Sequence, residues 1–155
     1  MRRLRPEKLD ILPHDHPDAL RSRSDIVRLN GLMGQARVAD ATLERVGVPA
    51  PRRILDLGAG CGRTTLALAK RLHRRGWTNV DITLVDRLVG LEPHTEAAFA
   101  ALGWTAHPVV ADADAFLADH KGPPFDIVWT NLFLHHLEDD LPALLGAIGP
   151  VAKCF

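Results

Sequence analysis

Apolar residues recur along the chain with two periods, and the change from one to the other divides it. From Asp18 to about Val46, Ile26, Leu29, Met33, Ala36, Leu43 and Val46 return at three- and four-residue steps, so a helix would carry them on one face. Gly31 and Gly34 weaken the middle of that stretch, which reads as one bent helix or two shorter ones. Pro49 and Pro51 end it. Ahead of it, residues 1–17 hold Pro6, Pro13 and Pro17 among several charges and read as an irregular arm.

Past Pro51 the pattern alternates between short β-type runs and helical ones. Strands are expected at 53–57, 82–85, 107–111 and 125–130, and helices at 64–75, 93–102, 114–120 and 139–147. Strands alternating with helices imply parallel pairing through crossover helices that cover both faces. The expected fold is α/β: an open, mainly parallel, Rossmann-like sheet with a helical N-terminal segment. The expected divisions are an arm (1–17), a helical segment that could lid a site (18–48) and the sheet domain (49–155).

Composition narrows the function. The 155 residues are 46% apolar and 25% charged, and nineteen basic side chains balance nineteen acidic ones. A net charge of zero provides no long-range attraction for nucleic acid. No run reaches the apolar length of a membrane span, and no signal-peptide core follows the basic start. Cys61 and Cys154 form no CxxC pair, so a reducing, cytoplasmic setting is expected. His135 and His136 precede Glu138, Asp139 and Asp140, but no metal-ligand spacing joins them and no metal is expected.

The chemistry concentrates in Asp56-Leu57-Gly58-Ala59-Gly60-Cys61-Gly62, between a strand end and a helix start. Glycines there permit positive φ and let a ligand approach the backbone, with backbone N–H groups and a helix N-terminus nearby. A dinucleotide fingerprint counted from Gly58 would need a third glycine where Arg63 stands. No Gly-Lys-Ser/Thr follows, which excludes a Walker loop. An acid two places before the first glycine is unhelpful to a pyrophosphate but suits an ammonium, such as that of the methionine part of S-adenosylmethionine (SAM). Asp86, at the end of the second strand, can accept hydrogen bonds from both ribose hydroxyls. Asp112, after the third strand, can accept from an adenine amino group, while Asp114 is expected to cap the following helix. Asn131 closes the fourth strand.

In order and spacing these segments resemble the class I SAM-dependent methyltransferases over about residues 50–148. Arg53 to Gly62 is similar to their first motif, Leu84-Val85-Asp86 to the second, Val110-Ala111-Asp112-Ala113 to the third, and Phe125 through His136 to the fourth. The resemblance implies that Asp56, Gly58 and Gly60, in a turn completed by Ala59 and Gly62, meet the methionine end of SAM. It gives the ribose to Asp86, with Arg87 beside it, and the adenine to Asp112 and the Ala113 backbone, and it sets Asn131 at the methyl-transfer region. His136, or His135, is the candidate base where the acceptor must lose a proton. Leu132 and Phe133 stand where some members carry a Pro-Pro-aromatic grip for an exocyclic amine. A small-molecule acceptor with an apolar body is therefore expected.

Family members usually have seven strands, and this sequence stops at Val151-Ala152-Lys153-Cys154-Phe155 before the last three are expected. A fragment, a truncated reading frame and a partner-completed domain are the alternatives. A bare edge at Ile127-Val128-Trp129 is expected, with copies associating through it. The competing functions are a catalytically silent SAM-binding module and, disfavoured by Arg63 and Asp56, a nicotinamide dehydrogenase.

Overall fold

The computed structural model describes Asp25 and residues 33–87, 91–131 and 141–155. The chain divides into two compact units, Met1–Gly34 and Gln35–Phe155, and the second carries the elements below. The division falls ahead of the helix that was grouped with the N-terminal segment.

In chain order the elements are α1 (Gln35–Val46), β1 (Arg53–Leu57), α2 (Arg63–His73), β2 (Val80–Asp86), α3 (Pro93–Ala100), β3 (Trp104–Val110), α4 (Ala113–Asp119), β4 (Ile127–Thr130) and α5 (Leu141–Ile148), followed by a 3-10 turn, Gly149–Val151. The strands form one parallel sheet in the order β3-β2-β1-β4. Connections leave β1 toward β2 on one side, and the chain later returns to β4 on the other. The reversal opens a crevice at the carboxyl ends of β1 and β4, where open α/β sheets bind ligands.

Alternation along β1 sorts the core into two layers. Ile54 faces α1, α2 and α3 and packs with Leu68, Leu72, Ile82, Phe99 and Ile127. Leu55 and Leu57 face the other way and pack with Val85, Leu117, Val128, Leu144 and Ile148. β1 is thus covered on both faces, as its unbroken apolar run requires. Trp104 and Trp77 close one end of the first layer: the Trp104 Nε1–H donates to the Trp77 carbonyl at 2.9 Å, and both rings are buried.

The α1 face departs from the expected pattern. Ala39 is buried and Ala36 and Leu43 pack on the core, but Val46 is exposed, as is Met33 ahead of the helix. Ion pairs add to this packing on α2: Asp40 meets Arg71 at 2.9 Å and Arg75 at 3.0 Å. Burial pushes the Asp40 carboxyl up, and the two guanidiniums outweigh it, leaving the pKa below the ordinary value.

The fourth-strand edge is not bare along its length, which corrects the expectation above. After the 3-10 turn the chain runs extended beside β4. The Phe125 N–H donates to the Val151 carbonyl (2.7 Å), the Lys153 N–H to the Phe125 carbonyl (2.9 Å) and the Val128 N–H to the Cys154 carbonyl (2.8 Å). Ala152 pairs parallel with Phe125. Asp126 fastens this corner. Its Oδ2 accepts the Arg52 and Arg53 N–H groups at 2.7 and 2.9 Å, and its Oδ1 accepts the Lys153 ammonium at 2.7 Å. Burial raises its pKa, but Lys153 and the two backbone donors hold it below the usual carboxylate value.

A group held ionised in this way stabilises the fold above its unfolded pKa and ceases to do so as pH falls through its folded one. Asp126→Ala should therefore lose about 2 kcal/mol at pH 7 in urea denaturation, from charge-assisted hydrogen bonds removed. The gap from the parent should shrink below about pH 4. An unchanged midpoint at pH 7 would refute the clamp.

Candidate functional site

β1 delivers its last residues into the crevice, and the turn that follows is built on positive φ: Gly58 at 76°, Gly60 at 55° and Gly62 at 72°. The last two are glycines for different reasons. A Cβ on Gly62 would stand 2.6 Å from Leu91 Cδ2, and Thr95 and Phe99 lie just behind, so this glycine lets α3 close on the turn. A Cβ on Gly60 would meet no atom within 4 Å. Space lies open above Gly60, on the side where a ligand would enter.

The turn does not offer its amides as freely as expected. The Gly58 and Ala59 N–H groups both donate to the Val85 carbonyl, at 2.9 and 3.1 Å, and the Gly62 N–H donates to the Ala59 carbonyl at 2.9 Å. The Gly60 N–H donates to Asp86 Oδ2 at 2.8 Å. Three of these donors fasten the turn to β2 and the fourth closes it on itself, so at these positions the turn contributes shape. The start of α2 is different, since Gly62 caps it in the left-handed conformation with no side-chain partner.

Asp56 lies beneath this turn, on the α2 face of the sheet, and is 1% exposed. The Thr65 hydroxyl, in the first turn of α2, donates to its Oδ2 in a short hydrogen bond. Its Oδ1 has no partner. Burial pushes the Asp56 pKa up and Asp86 adds repulsion, against the lowering effect of Thr65, so the carboxyl titrates at about 7. Among the described residues, Thr95 Oγ1, Trp129 Nε1 and Thr130 Oγ1 are the other buried side-chain polar atoms without a partner.

The remaining expected residues line the same edge of the sheet. Asp86 is half-buried and joined to the turn through Gly60. Asp112 occupies the capping position of α4, where Asp114 had been expected; Asp114 lies inside the helix, and Asp112 makes no capping hydrogen bond. The Asp112 carboxylate stays in solvent, 3.8 Å from Arg87 Nε, a distance and exposure at which an ion pair contributes little. Ala113 is buried. Asn131 follows Thr130, whose register partner on β1 is Leu57. His135 and His136 lie outside the described residues. Among the described residues no group of three metal-ligating side chains occurs, and no helix is long and apolar enough to cross a membrane.

A cavity of about 480 Å³ runs along the sheet between α1, α2 and the β1–β4 pair. Thr65 and Asn131 line it at the carboxyl edge, and Ile54, Leu72, Ile82 and Ile127 toward the amino edge. One end is thus polar and the rest apolar. Thr65 and Trp129 are site residues that motif reading missed. Nothing in the spacing marks Thr65, whereas Trp129 follows from the register, which sets it opposite Asp56.

A family model described as a methyltransferase domain matches residues 55–154. A malonyl-[acyl-carrier protein] O-methyltransferase of Halorhodospira halophila (strain DSM 244 / SL1) is 33% identical over 115 residues, which are 72% of this chain and 35% of that protein. Another, of Xylella fastidiosa (strain M23), is 29% identical over 105 residues, 68% of this chain and 32% of that one. The chain thus spans about a third of the length of these curated relatives. Among solved structures, the plantazolicin methyltransferase BpumL in complex with SAH superposes with a TM-score of 0.61 at 18% identity, over 90% of this chain and 51% of that one. The O-methyltransferase TomG from Streptomyces achromogenes gives 0.52 at 18%, over 77% and 51%.

Two stability outcomes follow from this geometry. Gly62→Ala adds to a strained φ a contact that the Leu91 side chain must turn away to relieve, and should cost about 2 kcal/mol; Gly60→Ala carries the strain alone and should cost about 1 kcal/mol. Equal losses in thermal unfolding would contradict the division of roles. Asp56 works in the opposite sense to Asp126. An acid with a raised folded pKa adds stability below its unfolded pKa, and that stability is lost as pH climbs through the folded one. Asp56→Asn should therefore melt above the parent at pH 8 and come level with it only below about pH 4. A variant that melts lower at pH 8 would rule out the buried charge.

Proposed function

The chain belongs to the class I SAM-dependent methyltransferase family, and from that premise we propose that it binds SAM at the carboxyl edge of the sheet and serves methyl transfer to a small-molecule acceptor. The observation that carries the proposal is the pairing of an open cradle over Gly60 with an unsatisfied buried carboxylate oxygen on Asp56. The cradle admits a ligand against bare backbone, and the carboxylate asks for a cation. A ligand with an ammonium group answers both, and a pyrophosphate does not.

In this reading Asp56 holds the ammonium of the methionine end, in the turn shaped by Gly58, Ala59, Gly60 and Gly62. Asp86 accepts from the ribose hydroxyls with its neighbour Arg87 alongside. Asp112 and the Ala113 backbone meet the adenine, and Asn131 borders the reacting methyl. SAM supplies an activated methyl on a sulfonium centre, so the protein's task is alignment and exclusion of water. Asp56 has a proton to lose near neutral pH, and a cation beside it favours the ionised form.

The mainly apolar cavity with its polar end supports an acceptor with an apolar body and a polar reacting end. The relatives are named for a malonyl group on an acyl-carrier protein, which makes that acceptor the first to try. A free carboxylate is already deprotonated, so such an acceptor needs no base, whereas a hydroxyl acceptor would call on His136 or His135. The free thiols Cys61 and Cys154 support a reducing, cytoplasmic setting. Self-association through the fourth strand has less to rest on, because its edge is paired at Phe125 and Val128; the peptide groups beyond the pairing, on 152–155, would be the route.

Isothermal titration with SAM, with NAD as control, tests the cofactor. The parent should bind SAM and not NAD, and Asp56→Asn and Gly60→Val should each weaken SAM at least tenfold at pH 8. Binding of NAD alone, or of SAM equally by all three proteins, would overturn the reading. Methyl transfer to malonyl-acyl-carrier protein and to a panel of hydroxyl acceptors then identifies the acceptor. SAM binding without turnover on any acceptor would favour the silent module.

A further inference from the structure

Trp129 carries a second unsatisfied atom beside Asp56. The two residues are register partners on adjacent parallel strands, β1 and β4, so their side chains leave the same face of the sheet. Both lie on the α2 side: Thr65 of α2 donates to Asp56, and the Trp129 ring packs on the core layer that α2 covers. Trp129 also lines the cavity that Thr65 lines. Its indole Nε1–H is buried with no acceptor, and Asp56 Oδ1 is buried with no donor.

Buried polar atoms rarely go unpaired, because each costs the desolvation that no partner repays. Here the two orphans are of opposite kind. An indole nitrogen can only donate, and a carboxylate can only accept. They do not satisfy each other, so a ligand completing the site must bring an acceptor for one and a donor for the other. Thr130, the next residue on β4, has an orphan hydroxyl too, but strand alternation sends it to the opposite face.

We propose that Trp129 is a cofactor-binding residue whose indole N–H donates to the carboxylate of the cofactor's α-amino-acid head while Asp56 takes the ammonium of the same head. The proposal rests on the SAM reading above and adds a second half to it. The zwitterion offers one cationic donor and one anionic acceptor on adjacent carbons, the complement of what two paired strand positions leave open. The register of the β1–β4 pair sets the spacing between the two contacts, so the head is read as a unit. A cation without the carboxylate would satisfy Asp56 and leave the indole unpaired.

The test is a ligand-by-variant cycle at pH 8, by isothermal titration on the full chain with SAM and with decarboxylated SAM, which keeps the amine. Trp129→Phe should bind SAM about tenfold more weakly than the parent does, the loss expected for a buried hydrogen bond to a charged group. It should bind decarboxylated SAM within twofold of the parent. Trp129→Met, flexible and without a donor, should behave as Trp129→Phe, and Trp129→Gln, which restores an N–H, should recover most of the SAM affinity. This guards against a Phe variant that fails to fold. Equal weakening toward both ligands, or none toward SAM, would overturn the role of Trp129 while leaving the cofactor reading intact. A parent that binds neither ligand would overturn that reading and the inference with it.

Discussion

A carboxyl group confined where water does not reach must find a proton, a hydrogen-bond donor or a cation, and the site in this chain is arranged around one that has found only part of what it needs. Asp56 occupies a position that strand alternation turns toward the apolar layer of Ile54, Ile82 and Ile127. One oxygen is met by Thr65 and the other by nothing, while Asp86 repels the charge from the next strand. An apolar side chain would suit that position better for stability. The carboxyl's persistence there makes chemical sense if a cation arrives to complete it, which is the usual relation between a strained polar group and a function.

The surrounding fold supplies the rigidity such a group requires. Parallel strands pinned on both sides of β1 leave its end no freedom to turn Asp56 outward. The amides of the glycine turn donate to Val85 and Asp86, so its shape depends on β2 as much as on the glycines. Gly62 lets α3 approach, and Gly60 keeps the space above it clear. At the opposite edge of the sheet, Asp126 is the contrasting case. Three donors satisfy its carboxylate at the surface, and there the charge strengthens the fold. The two acids differ in partners supplied, and their pKa values move in opposite directions for that reason.

Much of this was legible in the residues. β1 falls at 53–57 as the apolar run before the glycines indicates, and the other strands and helices overlap their expected spans, because short apolar runs punctuated by glycine and proline carry that information locally. Asp56, the glycines, Asp86 and Asn131 stand at strand ends and the turn after β1, which the same local pattern marks. What local pattern does not carry is pairing. The attachment of residues 151–154 to β4 depends on a turn at Gly149–Val151 and on Lys153 reaching Asp126, neither of which has a periodic signature. Asp112 and Asp114 are both acceptable caps by type, and only the backbone decides between them. Thr65 and Trp129 become site residues through register and helix docking, which depend on the tertiary fold.

The titration of Asp56 itself tests the account most directly. The side-chain carboxyl carbon, followed by carbon-detected NMR in protein labelled at aspartate and assigned with Asp56→Asn, should change shift with a midpoint near pH 7 in the free protein and move to lower pH when SAM is added. A midpoint near 4 in the free protein, or one that SAM leaves in place, would contradict it.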